Sequence, residues 1–159
     1  MRNPANISNK GQGKDMRVIF FVGIILLSLS GCATKSLTVD KAVNFSAIHS
    51  IQVKKLEIDK YDVGGRLETL FRSLAVDATG DSDYFVVYDY RYAWDAVHFS
   101  LVDLKVYIKD KKRNAVLFAY EMDHSFGGGP GTFSSVETLL DNNFVELKKD
   151  LLNAGIGKL

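Results

Sequence analysis

The length and composition of the chain limit it to one ordinary globular domain with an appendage. Its 159 residues, 47% hydrophobic and 25% charged, leave no room for a second domain. The net charge of +1 conceals an asymmetry, because residues 1–31 carry Arg2, Lys10, Lys14 and Arg17 against Asp15. The remainder is mildly acidic and lacks the basic field that supplies most nucleic-acid affinity, so DNA and RNA are excluded as expected partners.

The N-terminal region has the layout of an export signal. An uncharged run from Val18 to Leu29 follows Lys14 and Arg17 and precedes small residues, as in signal peptides. The run is well short of the roughly 20 residues that a membrane-spanning helix needs. Residues 1–31 are therefore predicted to be a signal peptide. Met16 is an alternative start, because with Arg17 it makes a compact charged beginning to the run.

The sequence Leu29-Ser30-Gly31-Cys32 resembles the bacterial lipobox. The resemblance implies cleavage between Gly31 and Cys32 and acylation of Cys32, with palmitate among the chains, so that the protein is anchored to a membrane by lipid. Cys32 is the only cysteine, which excludes an internal disulfide. The residue after it is Ala33, and by resemblance to enterobacterial sorting this implies the periplasmic face of the outer membrane in a Gram-negative host.

The remaining residues are predicted to form a lipidated tether over 32–40 and a single α+β domain over 41–159. Apolar spacing predicts two helices, one capped by Asp62 and running to about Ala78, the other opened by a capping box of Ser134 and Glu137. Period-two patterns predict strands over 47–58, 84–94, 97–109 and 114–126. This order predicts a two-layer fold in which both helices pack on one face of a mainly antiparallel four-stranded sheet.

No arrangement of residues in the sequence indicates catalysis or metal binding. His49, His98 and His124 lie on different predicted strands, without partners at metal-ligand spacing, and no G-x-S-x-G occurs. The glycine-rich stretch at 127–131 lacks the ending of a phosphate loop and is interpreted as a connection. We therefore predict no enzyme activity and no cofactor. A basic group at 109–113 is predicted to be a solvated hairpin tip, with anionic headgroups as the alternative contact.

The strand predicted over residues 84–94 is unusually aromatic. With a period of two, one of its faces carries Tyr84, Val86, Tyr88, Tyr90, Tyr92 and Trp94. Tyrosine and tryptophan combine an apolar ring with a polar group, which suits either a partly covered sheet face or a surface that binds a partner. The candidate binding residues are Tyr88, Tyr90, Tyr92 and Trp94.

Three stretches, DYFVVYDYRYAWD (83–95), AVLFAY (115–120) and SSVETLLD (134–141), resemble a group of small, uncharacterised proteobacterial lipoproteins. The resemblance covers roughly residues 48–152 and implies a compact α+β lipoprotein fold, but no activity. Two functions stay open. One is a non-catalytic envelope lipoprotein that docks another envelope protein, and the other is a periplasmic carrier of a small molecule or lipid. Exposed rings on the aromatic strand favour docking, rings that line a concave pocket favour a carrier, and rings fully packed under the helices favour neither.

Overall fold

The computed structural model describes residues 33–78, 80–94, 99–124 and 134–157. Its elements in chain order are β1 (Thr34–Val39), β2 (Gln52–Val53), α1 (Val63–Ser73), β3 (Tyr84–Trp94), β4 (Phe99–Asp110), β5 (Val116–Asp123) and α2 (Val136–Asn153). The predicted signal peptide, its cleavage site at Gly31 and Cys32, and the glycine-rich connection lie outside the described residues. Neither described helix combines the length and apolarity that crossing a bilayer requires.

The described strands form one sheet in the order β1-β5-β4-β3-β2. β2 runs parallel to β3, and the other neighbouring pairs are antiparallel. The predicted α+β class with two helices is confirmed, but the prediction of four strands is wrong, since the sheet has five. The parallel pair follows from the chain path, because α1 lies between β2 and β3 and a helical crossover brings the second strand parallel to the first.

The strand missing from the prediction is β1, which lies within the segment 32–40 that was assigned to the tether. It pairs antiparallel with β5, from Thr34 opposite Asp123 to Val39 opposite Phe118. Most of its side chains are exposed, as expected for an edge strand, so its sequence carries little apolar signal. Backbone hydrogen bonding to β5 nevertheless makes residues 34–39 part of the sheet, and this part of the predicted tether is corrected.

The first predicted strand and the first predicted helix are both shorter in the structure than in the prediction. The strand predicted over 47–58 is reduced to Gln52–Val53, with one further bridge between Ser50 and Asp77. Helix α1 ends at Ser73 because Ala75 adopts a left-handed backbone conformation (φ 58°) and Val76 N–H bonds back to the Phe71 carbonyl. This is a common way for a helix to terminate, and it frees the following residues to pair with the segment that leads to β2.

Both helices begin at side-chain caps. Asp62 accepts a hydrogen bond from Gly65 N–H at 3.3 Å, which confirms the predicted cap of α1. The cap of α2 is Ser135, whose Oγ accepts from Thr138 N–H at 3.2 Å. The predicted capping box is therefore misplaced by one residue, and Ser134 precedes the helix.

The helices share one face of the sheet. Tyr88 of β3 and Tyr120 of β5 both lie opposite Val106 of β4, which places the two tyrosines on the same face. The Tyr88 hydroxyl lies against Gly64 of α1, and the Tyr120 hydroxyl donates to the Asn143 side chain of α2. Fully buried residues fill the space between the sheet and helices, among them Leu67, Phe71, Leu104, Ile108, Phe118, Leu140, Leu147 and Leu151.

Candidate functional site

The candidate binding residues on β3 differ in exposure along the strand. Tyr88 is 4% exposed, Tyr92 is 37% exposed and Trp94 is 58% exposed, while Tyr90 is partly buried. All four belong to one face, as the period-two pattern predicts. The helices cover the first half of this face, so Tyr88 is part of the core and only the final residues of the strand are accessible to a partner.

The buried half of the aromatic face is organised around Asp59, which precedes α1. Its Oδ1 accepts hydrogen bonds from Val63 N–H at 2.9 Å and from the Tyr90 hydroxyl at 3.0 Å. Its Oδ2 accepts from Gly64 N–H at 2.7 Å and from the Tyr88 hydroxyl at 2.7 Å. A β-carbon at Gly64 would lie only 2.6 Å from the Tyr88 hydroxyl oxygen, so glycine permits this close approach. The carboxylate thus fastens the start of α1 to β3.

These contacts change the pKa values of the groups involved. Burial acts to raise the pKa of Asp59, but hydrogen bonds from Gly64, Tyr88, Val63 and Tyr90 outweigh it, and the net shift is downward. Burial and the neighbouring Asp59 carboxylate raise the pKa of both Tyr88 and Tyr90. At neutral pH Asp59 is therefore ionised and accepts hydrogen bonds, and both tyrosines are neutral and donate them. We interpret this arrangement as one that stabilises the fold.

Replacing Asp59 with asparagine is expected to lower the free energy of unfolding by about 1 to 3 kcal/mol at pH 7. The amide nitrogen must take the place of Oδ1 or Oδ2, where it opposes a backbone N–H that cannot turn away. The lowered pKa of Asp59 means that its stabilisation is full above its unfolded pKa of about 3.9 and is lost as pH falls through its folded pKa. The difference between wild type and Asp59→Asn should therefore shrink in acid.

Urea denaturation of wild type and Asp59→Asn at pH 7 and at acid pH measures this effect. Asp89→Asn is the matched control, because Asp89 is exposed on β3 and the substitution should change stability by less than about 0.5 kcal/mol. Equal losses for the two variants, or a loss for Asp59→Asn that does not change with pH, would contradict the assigned role of Asp59.

The exposed half of the aromatic face forms a cluster with residues from two other segments. We define the aromatic cluster as Tyr61, Tyr90, Tyr92, Trp94 and Phe99. Ring centroids lie 5.2 Å apart for Trp94 and Phe99, 5.7 Å for Tyr92 and Phe99, and 5.2 Å for Tyr61 and Tyr92. These three contacts have the edge-to-face geometry that aromatic rings favour. The cluster therefore forms a connected set of rings at the end of β3.

A lysine lies over this cluster. The Nζ of Lys60 is 4.9 Å from the Phe99 ring centroid, 5.0 Å from that of Tyr92 and 5.3 Å from that of Tyr61, within the range of cation–π attraction. A bulge in β4 between the positions opposite Arg91 and Tyr92 leaves Tyr92 opposite Leu101 and Trp94 opposite Phe99. The cluster and Lys60 together thus combine apolar rings, tyrosine hydroxyls, an indole N–H and a positive charge.

The sheet register fixes where this cluster lies relative to the N-terminal end of the domain. Arg91 lies opposite Asp103, Asp103 opposite Asp123, and Asp123 opposite Thr34. These four residues form one row across four strands. The cluster and the beginning of β1 are therefore at the same end of the sheet.

The basic group at 109–113 lies at the other end of the sheet. Lys111 pairs with Asp81 at 2.7 Å, Lys112 with Asp83 at 3.1 Å, and Arg113 with Asp110 at 2.9 Å. Neighbouring carboxylates thus accompany these charges, as expected for a solvated hairpin tip.

Two grooves formed by described residues lie away from the aromatic cluster. One of about 340 Å³ separates α1 from α2 and includes Arg66 and Phe144. Another of about 430 Å³ lies between β1 and the end of α2 and includes Leu37 and Phe45. The aromatic residues of β3 line neither groove.

The two histidines in the described part of the chain, His49 and His124, do not contact each other. His49 is exposed, and a ring nitrogen of His124 lies 3.0 Å from the Asn143 amide nitrogen, while His98 lies outside the described residues. Burial lowers the pKa of His124. Across residues 33–78, 80–94, 99–124 and 134–157, no group of three His, Cys, Asp or Glu side chains is arranged to hold a metal ion.

Sequence reasoning missed Asp59, Lys60, Tyr61 and Phe99 as members of this region. The first three lie in an irregular segment before α1, and Phe99 begins the next strand. No periodicity connects them with β3. The pair of aspartates at 59 and 62, shortly before Gly64 and Gly65, is the one local signal, and it indicates a helix start rather than contacts to distant tyrosines.

Comparisons with known proteins place the chain near two groups of solved structures. The PelC dodecamer from Paraburkholderia phytofirmans is 12% identical over 80% of this chain and 100% of that one, with a TM-score of 0.47. A minor lipoprotein from Acinetobacter baumannii is 13% identical over 70% of this chain and 98% of that one, with a TM-score of 0.38. No protein-family model and no curated protein matches the chain. Similarity at this level carries no argument about function or assembly.

Proposed function

We propose that the protein is a lipid-anchored lipoprotein of the bacterial envelope whose domain serves as a non-catalytic docking or accessory module. The signal-peptide layout and the lipobox ending at Cys32 support the anchor. The structure adds that β1 begins at Thr34, so only Ala33 separates the lipidated residue from the sheet. The domain would be held directly against the membrane surface. Ala33 supports the periplasmic face of the outer membrane as its location in a Gram-negative host.

The observation that carries the docking role is the exposure of the aromatic cluster. Trp94 is 58% exposed, and Phe99 and Tyr92 are 43% and 37% exposed, although each is a large ring that favours burial. Clustered exposed rings of this kind mark surfaces that become covered by a partner. The aromatic residues of β3 line neither of the two grooves described above, which favours docking over the enclosure of a ligand.

The alternative is a small-molecule or lipid carrier. The groove between β1 and α2 supports it, because its volume of about 430 Å³ falls within the range of ligand sites and its walls include Leu37, Val39, Val43 and Phe45. The groove is distinct from the aromatic strand, so the two functions use different surfaces. Substitutions on each surface can therefore separate them.

Native mass spectrometry of the lipidated protein, extracted from membranes in mild detergent, distinguishes the two functions. A docking module is expected to show the mass of the acylated polypeptide without a retained small ligand. A lipid or metabolite bound one to one, lost in Leu37→Asp and kept in Trp94→Ser, would support the carrier and contradict the docking proposal. Both substitutions are at exposed positions, so both variants should fold.

A further inference from the structure

We infer that Tyr92, Trp94, Phe99 and Lys60 form a membrane-contact surface that rests in the interfacial layer of the same bilayer that holds the acyl chains of Cys32. This inference rests on the proposed lipidation of Cys32 and names the partner of the aromatic cluster. The partner is the lipid surface, in preference to a second protein. Its chemistry is an apolar boundary bearing phosphate and carbonyl groups.

The direction of the strands relates the anchor to the aromatic rings. Because β1, β5, β4 and β3 are successively antiparallel, β1 runs opposite to β3. The chain that precedes Thr34 therefore leaves the sheet in the same direction in which β3 proceeds from Arg91 to Trp94. Both segments, the chain before Thr34 and the end of β3, extend from the row of paired residues that joins Thr34 to Arg91.

The distances from the row to Cys32 and to Trp94 are both short. Three residues beyond the row carry β3 about 10 Å, at about 3.3 Å per residue. Two residues before Thr34 allow Cys32 to reach at most about 7 Å beyond the same row. Across the sheet, three strand spacings of about 4.8 Å separate the two positions by about 14 Å. With so short a link, a lipid on Cys32 holds this end of the sheet at the bilayer surface, and the exposed rings lie at a comparable height.

The exposed side chains have the chemistry of a membrane-contact surface. Tryptophan and tyrosine are enriched where membrane meets water, since each has an apolar body and a polar group that stays hydrated. Lys60 has a long apolar stem with a terminal ammonium, and it can place the charge among anionic headgroups while the stem covers apolar surface. Its ammonium already lies over three rings of the aromatic cluster.

The other charges at this end and at the opposite end are consistent with the same orientation. On the opposite face of the sheet, Arg91 forms an ion pair with Asp103 and also lies near Asp123, so it offsets part of the negative charge that this end would present to anionic lipid. The basic tip that includes Lys111 and Lys112 lies at the far end and is paired with Asp81 and Asp83. The end that carries the aromatic rings, and not the most basic end, is thus the one that the anchor brings to the membrane.

The protein carries its own probe for the test, because Trp94 is its single tryptophan. The full lipidated protein is reconstituted into vesicles of phosphatidylethanolamine and phosphatidylglycerol, and its association is measured by flotation. Trp94 fluorescence is then recorded with lipids brominated on the acyl chains and, separately, with aqueous iodide. We expect strong quenching by the brominated lipids, a blue-shifted emission, and protection from iodide relative to the protein in detergent.

The matched control moves the reporter to the opposite end of the sheet. The variant Trp94→Phe with Val116→Trp places the tryptophan at an exposed position, since Val116 is 44% exposed at the start of β5. This reporter should be quenched by iodide and not by brominated lipids. Lys112→Trp in the same Trp94→Phe background, at the exposed hairpin tip that follows β4, serves as a second control if the first variant does not fold. Lys60→Glu should weaken the quenching of Trp94 on these anionic vesicles.

The outcomes separate the inference from the function on which it rests. Flotation with quenching restricted to Trp94 supports both. Flotation with Trp94 as open to iodide as the Val116→Trp reporter overturns the membrane contact and leaves the lipid anchor in place. A protein crosslinked specifically at Trp94 in intact cells, with no lipid contact at that position, would also overturn it and assign the cluster to a protein partner. Failure to float overturns the anchor and the inference together.

Discussion

The variant Cys32→Ala is expected to lose acylation completely. The diacylglycerol is attached through the cysteine thiol, and the chain contains no second cysteine that could replace it. Each methylene buried in a bilayer contributes about 0.8 kcal/mol to attachment, so the loss of the acyl chains removes the main contribution to membrane binding. Labelling of cells with radioactive palmitate, followed by purification of the protein, measures the effect.

The control for this variant is Ser30→Ala, which keeps a small residue two positions before the cysteine. It should be acylated and cleaved like wild type, because a lipobox tolerates small residues at this position. Palmitate incorporation into Cys32→Ala at the wild-type level would contradict the assignment of Cys32 as the lipidated residue. Equal loss of the label in both variants would show that processing depends on Ser30 itself.

Replacing Leu140 with alanine is expected to lower the free energy of unfolding by about 2 to 5 kcal/mol, as substitutions that open a cavity in a core do. Leu140 is 0% exposed. Leu70→Ala should also destabilise the domain, but toward the lower end of this range, because Leu70 is 8% exposed. Urea denaturation of residues 33–159 measures both changes. This fragment keeps β1 and with it the ion pair of Lys35 with Asp150 at 2.7 Å.

The matched control is Val145→Ala on the same helix. Val145 is 68% exposed, so its truncation removes little buried surface and should change stability by less than about 0.5 kcal/mol. Losses below about 0.5 kcal/mol for both Leu140→Ala and Leu70→Ala would show that the assigned core face is wrong. A large loss for Val145→Ala would indicate that the outer face of α2 is covered in solution.

The elements that the sequence predicts correctly are those whose burial is periodic. In α2, Leu140, Leu147 and Leu151 recur at helical spacing and are all buried, and β3 has the predicted bounds. β1 could not be predicted in this way, because an edge strand with exposed side chains is held by backbone pairing that leaves no apolar pattern. The early end of α1 depends on a single left-handed residue, Ala75, whose side chain gives no signal for that conformation.

The part of the candidate site that lies on β3 was predicted, because its residues also follow a periodic pattern. Alternation along β3 correctly assigned Tyr88, Tyr90, Tyr92 and Trp94 to one face, because the bulge at this point falls on β4 and leaves the alternation of β3 intact. Which of these rings are covered depends on where α1 and the segment before it cross the sheet. Lys60 and Tyr61 reach the cluster through that segment, and a contact between residues about thirty positions apart has no signature in one sequence.

Mass spectrometry of the N-terminal peptide of the protein purified from native membranes tests the central claim most directly. We predict a mature chain that begins at Cys32, with a diacylglyceryl group on its thiol. Residues 1–31 should be absent from the mature protein. A mature N-terminus at any other residue, or an unmodified Cys32 thiol in the membrane-bound protein, would contradict the lipid anchor and the orientation of the aromatic cluster that depends on it.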